Sequence, residues 1–198
     1  MEPTSPAKQS EAGALESQLR EMYGRAAYTH KTHQKMADNY ISRYKNIKIA
    51  EIVLSAATAS SLLIALFGDE RQGTIIGAVL STVLLGFTLY FKEASLGEQG
   101  QLHTEVGAKL WGVREQLLSL LVDLQDGRPV EEVRQQRDHL NEKLEAIYKS
   151  APRTDSQAYA DAQKALKEAE ELFFTDEELN RMLPKSLRTS RKAVTPDA

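Results

Sequence analysis

The chain contains no cysteine. Disulfides, thiolate nucleophiles and cysteine metal centres are therefore excluded, and the composition is compatible with a reducing cytoplasm. Tryptophan occurs once, at Trp111, and no proline lies between Pro6 and Pro129, so long helices meet no obligate breaker across that stretch. Motifs of familiar chemistry are missing too: there is no G-x-x-x-x-G-K-[ST] phosphate cradle, no G-x-S-x-G elbow and no H-E-x-x-H pair. We accordingly expect no enzyme activity, no cofactor and no resident metal. Nucleic acid is not expected as a partner, because the net charge is −3 and the basic residues are interspersed with carboxylates.

The most informative absence is local. Charged residues make up 27% of the 198-residue chain, yet residues 52–67 and 73–91 contain none. An α-helix needs roughly 20 apolar residues to cross about 30 Å of hydrocarbon. The second run meets that length, and the first meets it once Ile47, Ile49 and Ala50 are added, with the Lys48 ammonium snorkelling to the headgroups. Glu51 must then sit at the interface, face a protein or water-filled interior, or pair with a base such as Lys48. A buried hairpin in a soluble bundle would also lack charge, but such a helix normally keeps a polar stripe, and residues 79–91 offer only Ser81, Thr82 and Thr88.

Between the runs lies a short polar turn, residues 68–72, so both chain ends share one side of the bilayer. Lys35, Arg43, Lys45, Lys48, Lys92 and Lys109 flank the terminal side against Arg71 alone in the turn, which predicts cytoplasmic termini. The expected class is an all-α membrane protein of the inner membrane: a two-helix transmembrane hairpin carrying long amphipathic cytoplasmic helices. Its divisions are a disordered tail (1–13), a lead-in helix (14–46), span one (47–67), the turn (68–72), span two (73–91), a cytoplasmic helical region (92–183) and a basic flexible tail (184–198).

Small residues on the spans are candidates for helix packing or for lining a pore. Gly73 and Gly77 form a G-x-x-x-G pair with Ser81 one turn on, while Ala78, Thr82 and Gly86 make a second small stripe. The expected counterface on span one is Ser55, Ala56, Ala59 and Ser60, with Glu51 near its start. In the polar part, Val106, Leu110, Val113, Leu117, Leu120 and Leu124 step by four and three like a heptad seam, widened by Trp111, Leu118 and Leu121. These are candidate cytoplasmic interface positions, at which the helix binds a copy of the chain or a partner or is buried on more than one side as a core. Gly97 and Gly100 permit a bend before that helix, and Gly127-Arg128-Pro129 ends it. Thr154 with Gln157, and Thr175 with Glu178, are spaced as capping boxes, the first opening a helix whose apolar face runs to Phe173.

Three features admit two readings each. His30 and His33 suit a metal or a helix interface, and the interface is favoured because neither His103 nor His139 has a fixed relation to them. Trp111 suits a ligand pocket or the core. Arg137, at an apolar step, suits a phosphate-bearing ligand or, on the blander reading, reaches water or pairs with Glu131, Glu132 or Glu142.

This order of features resembles the SLATT family, bacterial two-transmembrane proteins found with prokaryotic conflict systems. The resemblance covers most of residues 26–187. It rests on the amphipathic lead-in from His30-Lys31-Thr32-His33 to Tyr44, the paired spans, Leu110-Trp111-Gly112-Val113-Arg114-Glu115, and Ile147-Tyr148 with Ala151-Pro152-Arg153-Thr154. The family implies a pore-forming or membrane-disrupting antiphage effector, a homo-oligomer in the lipid bilayer, triggered by a separate nucleotide-sensing or nucleotide-synthesising partner. It supplies no catalytic residues to carry over. The alternative is a membrane-tethered helical scaffold or sensor without pore activity.

Overall fold

The computed structural model describes residues 6–68 and 70–188, all of them helix or connecting turns, with no strand. Helix α1 runs without interruption over Pro6–Phe67, 62 residues, or roughly 93 Å at 1.5 Å per residue. Pro6 suits a first helical position, where its missing N–H has no intrahelical partner to lose. Residues 6–13, expected as part of a disordered tail, are instead helical, and residues 1–5 of that expected tail lie outside the described part. Gly13 and Gly24, each with open space around the α-carbon, weaken α1 by only about 1 kcal/mol apiece relative to alanine. The lead-in helix and the first span are thus one rod.

Helix α2 (Glu70–Glu93) returns along α1, and α3 (Leu96–Gln125) continues from it to pack on the first half of α1. The break between α2 and α3 falls at Ser95, whose φ of 44° is left-handed, and not at Gly97 or Gly100 as expected. Both glycines serve close approach instead. A β-carbon at Gly100 would come within 3.1 Å of Ile41 Cγ1, and one at Gly97 within 3.7 Å of the Tyr44 ring.

The core of the polar body joins three helices. Leu15, Leu19, Met22 and Ala26 of α1 meet Val106, Leu110, Val113, Leu117 and Leu120 of α3, closed by Val133, Leu140, Leu144 and Ile147 of α4 (Val130–Ser150). The heptad-like seam of α3 is consequently spent inside the chain, with Leu124 packed at its edge, and is not free to join copies. Trp111 and Leu118 remain partly exposed on the outer side. The α3–α4 link is a Schellman cap, as its glycine suggested: Arg128 N–H donates to the Asp123 carbonyl at 3.0 Å, Gly127 N–H donates to Leu124 at 3.2 Å, and Gly127 takes a φ of 90°. The Arg128 guanidinium then bridges Asp123 and Glu132.

Helix α5 (Ser156–Lys167) lays Ala158, Ala162, Ala165 and Leu166 inward, and it packs on α1. Asp155, not Thr154, caps it, accepting from Ala158 N–H at 2.7 Å. It also ends before Phe173. Residues 168–175 are irregular, with Glu170 and Leu172 at φ 49° and 81°, because Glu171 is drawn back to Lys31 and Lys35 of α1. The Thr175–Glu178 capping box opens the short α6 (Asp176–Met182), followed by one 3-10 turn at Lys185–Leu187. Of the basic tail, residues 189–198 lie outside the described part.

Candidate functional site

The hairpin of α1 and α2 carries the feature that most needs explaining. Its two apolar windows have mean hydropathies of 2.0 and 1.9, and only 6% of each is buried by the rest of the chain. A core helix of a soluble bundle would be largely covered. Here Ile52 is 68% exposed and Phe67 87%, so a bilayer or other apolar cover must surround them. With its all-helical body and this uncovered apolar pair, the chain is a membrane protein.

The two helices touch along a narrow line. The less exposed positions of α1 are Glu51, Leu54, Thr58, Ser61 and Ala65, and those of α2 are Gly73, Gly77, Leu80, Leu84, Phe87 and Phe91, both stepping by three and four. Gly73 and Gly77 are the buried pair. A β-carbon on Gly73 would lie 2.4 Å from Ala65 N and 2.7 Å from its α-carbon; one on Gly77 would lie 2.7 Å from Ser61 Oγ. Ser61 itself donates to the Thr58 carbonyl at 2.7 Å, so its polarity is satisfied within its own helix.

This register corrects the expected counterface. Ser55, Ala56, Ala59 and Ser60 are exposed, since the seam runs through Thr58, Ser61 and Ala65. Ser81, Thr82 and Gly86 also point away from α1; Ser81 and Thr82 hydroxyls both donate to the Ala78 carbonyl, and a β-carbon on Gly86 would meet nothing within 4 Å. These outward small residues remain available to lipid or to another helix. Glu51 is paired with Lys48 at 2.8 Å.

Further down α1, beyond the Gly97–Tyr44 and Gly100–Ile41 contacts, α1 and α3 are joined by a buried polar layer. His33 Nδ1 and His103 Nδ1 are 2.8 Å apart, so the two rings share one proton, and Tyr40 stacks on His103 with ring centres 5.5 Å apart. Burial, reinforced by the neighbouring imidazoles of His103 and His30, pulls His33 down to about 4; burial likewise lowers His30 and His103. His30 Nδ1 donates to the Gly107 carbonyl at 2.8 Å, since a carbonyl can only accept. His139 lies elsewhere, exposed on α4. Among the described residues no three metal-ligating side chains converge.

About two turns beyond the His30–Gly107 contact, Arg114 is buried. Its Nε and Nη2 donate to the Tyr23 hydroxyl at 3.2 and 2.9 Å, its Nη1 pairs with Glu115 at 2.8 Å, and its guanidinium lies 4.5 Å from the centre of the Trp111 ring. Sequence reading misses this residue. Its signals are a place beside Val113 and Leu117 on the inward side of α3 and its position within the family-like stretch Leu110-Trp111-Gly112-Val113-Arg114-Glu115. Arg137, by contrast, pairs with Asp138 and Gln18 rather than with the glutamates expected for it.

No curated protein and no solved structure matches the chain significantly. Residues 15–178 do match one family, described as SMODS and SLOG-associating 2TM effector domain family 4. That match takes in the polar body, both spans and the histidine layer, and the chain belongs to this family, whose description makes it an effector of conflict systems.

Proposed function

We propose that the chain is a pore-forming or membrane-disrupting effector of a bacterial antiphage system, acting as an oligomer without catalysis in the inner membrane. The observation that carries this reading is the hairpin's outer surface: it is apolar on nearly every side, yet it retains the uncovered small residues Ser55, Ala59, Ser81, Thr82 and Gly86. In lipid, such stripes allow a second helix to approach closely, which an anchor does not require. The family's association with SMODS and SLOG supports a separate nucleotide-linked partner as the trigger. Reconstituted protein is expected to release a trapped dye from anionic liposomes. Vesicles that stay sealed under every condition that arrests growth in cells would refute it.

Orientation is part of the same reading, supported by the Lys and Arg asymmetry about the hairpin. Single cysteines at Gln72 and Ser190 test it with a membrane-impermeant thiol reagent on intact cells. Labelling at Ser190 but not at Gln72 would reverse the topology. The scaffold alternative draws on the exposed stripe Trp111, Leu118 and Val122 of α3, since the heptad-like seam is occupied within the chain.

A further inference from the structure

At the membrane boundary, α1, the end of α2 and the start of α3 surround a cavity of about 600 Å³. Its depth is fixed by charge. Glu51 is the last charged residue before the apolar run of span one, Lys92 is the first after that of span two, and both line the cavity. It therefore lies at headgroup level in any bilayer that covers the spans. Ile47 and Phe91, at the ends of the spans, give it an apolar side that meets the hydrocarbon. Two residues of each charge line it. Lys48 and Glu51 satisfy one another at 2.8 Å. Lys92 and Glu98 do not: among the described residues, neither side chain has an ion-pair or hydrogen-bond partner. Each complements the dipole at its own helix end, a role that does not require both to face one cavity.

The two free charges also stand at different depths. Helix α3 runs away from the spans, with Gly97 against Tyr44 and Gly100 against Ile41, so Glu98 lies farther from the hydrocarbon than Lys92. A phospholipid has the same order, since its phosphate is joined to the glycerol and carries the amine beyond it. Lys92 matches the phosphate, while Glu98 and the Gln101 amide oxygen one turn on match an ammonium with N–H bonds to donate. A purely anionic headgroup would leave Glu98 facing negative charge. Choline has no N–H to give, and Lys48 already approaches the Tyr44 ring, the aromatic face choline would seek, at 5.7 Å. We propose that this cavity holds one phospholipid with a zwitterionic primary-amine headgroup, its phosphate on Lys92, its ammonium on Glu98 and its chains leaving past Ile47 and Phe91. Such a molecule touches both sides of the Ser95 joint. The inference rests on the membrane character of the hairpin and not on pore activity or topology.

The test is native mass spectrometry of the full chain from micelles containing equal amounts of phosphatidylethanolamine, phosphatidylcholine and phosphatidylglycerol with identical chains. A one-to-one adduct enriched in phosphatidylethanolamine by at least about threefold over either competitor is expected. Glu98→Gln should keep an adduct but erase the preference over phosphatidylcholine, and Lys92→Gln should weaken both adducts together. Glu93→Gln, next to Lys92 but outside the lining, should change neither. All three side chains are exposed, so the substitutions leave the core intact. Equal adducts of the three lipids, which would mean annular lipid only, overturn the assignment, as does a preference for phosphatidylglycerol or one that survives Glu98→Gln. Soluble phosphoethanolamine carries the same charges without the chains; displacement of the adduct by it would make the site one for a soluble ligand and overturn the lipid. Adducts are read without leakage, so their failure leaves the effector reading untouched, and sealed liposomes would leave the lipid site standing.

Discussion

Replacing Gly73 by alanine should open the hairpin, whereas the same change at Gly86 should not. The added methyl at Gly73 would sit 2.4 Å from Ala65 N, 2.7 Å from its α-carbon and 2.8 Å from its β-carbon. Carbon atoms prefer about 3.5–4.0 Å, and the obstacle is backbone that cannot rotate aside, so α1 and α2 must part by roughly 1 Å. Overpacking of this sort costs about 1–3 kcal/mol, while alanine returns about 1 kcal/mol through helix propensity. Gly86→Ala gains the same propensity and meets nothing within 4 Å. The difference between the two variants removes propensity from the comparison and should therefore be about 1–3 kcal/mol. Gly77→Ala should fall between them, because Ser61 Oγ, its obstacle at 2.7 Å, can turn away. Spin labels on cysteines placed at Leu66 and Ile75, both exposed on facing helices, report hairpin closure in nanodiscs, and SDS titration in mixed micelles reports its stability. Identical label distances and unfolding midpoints for Gly73→Ala and Gly86→Ala would refute the packing argument.

Leu117, fully buried between α1 and α4, should tolerate no charge: Leu117→Asp loses about 2–3 kcal/mol of apolar burial and adds a desolvated carboxylate, so purified protein should lose its cooperative thermal transition. Stability should also depend on pH through the histidine layer. His33 is held neutral down to about 4, whereas the unfolded chain takes up that proton near the ordinary 6.5. Its contribution is therefore intact above about pH 6.5 and lost as pH falls toward 4, by up to about 3 kcal/mol; denaturation midpoints of the native chain should drop across that window and those of His33→Gln should drop less. Asp155→Ala removes the cap of α5 and should cost about 1 kcal/mol, seen as faster amide exchange at Ala158 relative to α4.

The spans and the α3–α4 link are legible in the sequence because their signals are local: missing charge over a bilayer's length, and a glycine that must adopt a positive φ before a proline. The face that each span turns to its partner is not. Ser55, Ala59, Thr58, Ser61 and Ala65 are all small, so composition does not distinguish one side of α1 from the other, and only the mutual approach of two backbones selects the side that meets Gly73. The pairing of His33 with His103 joins positions 70 residues apart and leaves no mark on either neighbourhood. The end of α5 is hidden for a related reason. Apolar stepping continues to Phe173, but the attraction of Glu171 to two lysines of α1 bends the chain first. At Thr154 and Asp155, two adjacent residues are both good caps, and a shift of one position is too fine for a spacing rule to separate.

The two spans are attached to the polar body by unlike couplings. Span one is the upper half of a single rod, with no proline or left-handed residue between the histidine layer and Phe67. Span two joins α3 through Ser95, a joint whose left-handed backbone interrupts the helix at the membrane boundary. Torque or axial displacement generated in the body is thus transmitted directly along α1, whereas at Ser95 it is partly absorbed as a change of angle. In the proposed effector, a stimulus acting on the body would drive the hairpin as a lever drives a latch, one arm moving with the handle and the other pivoting against it across the Gly73–Ala65 contact.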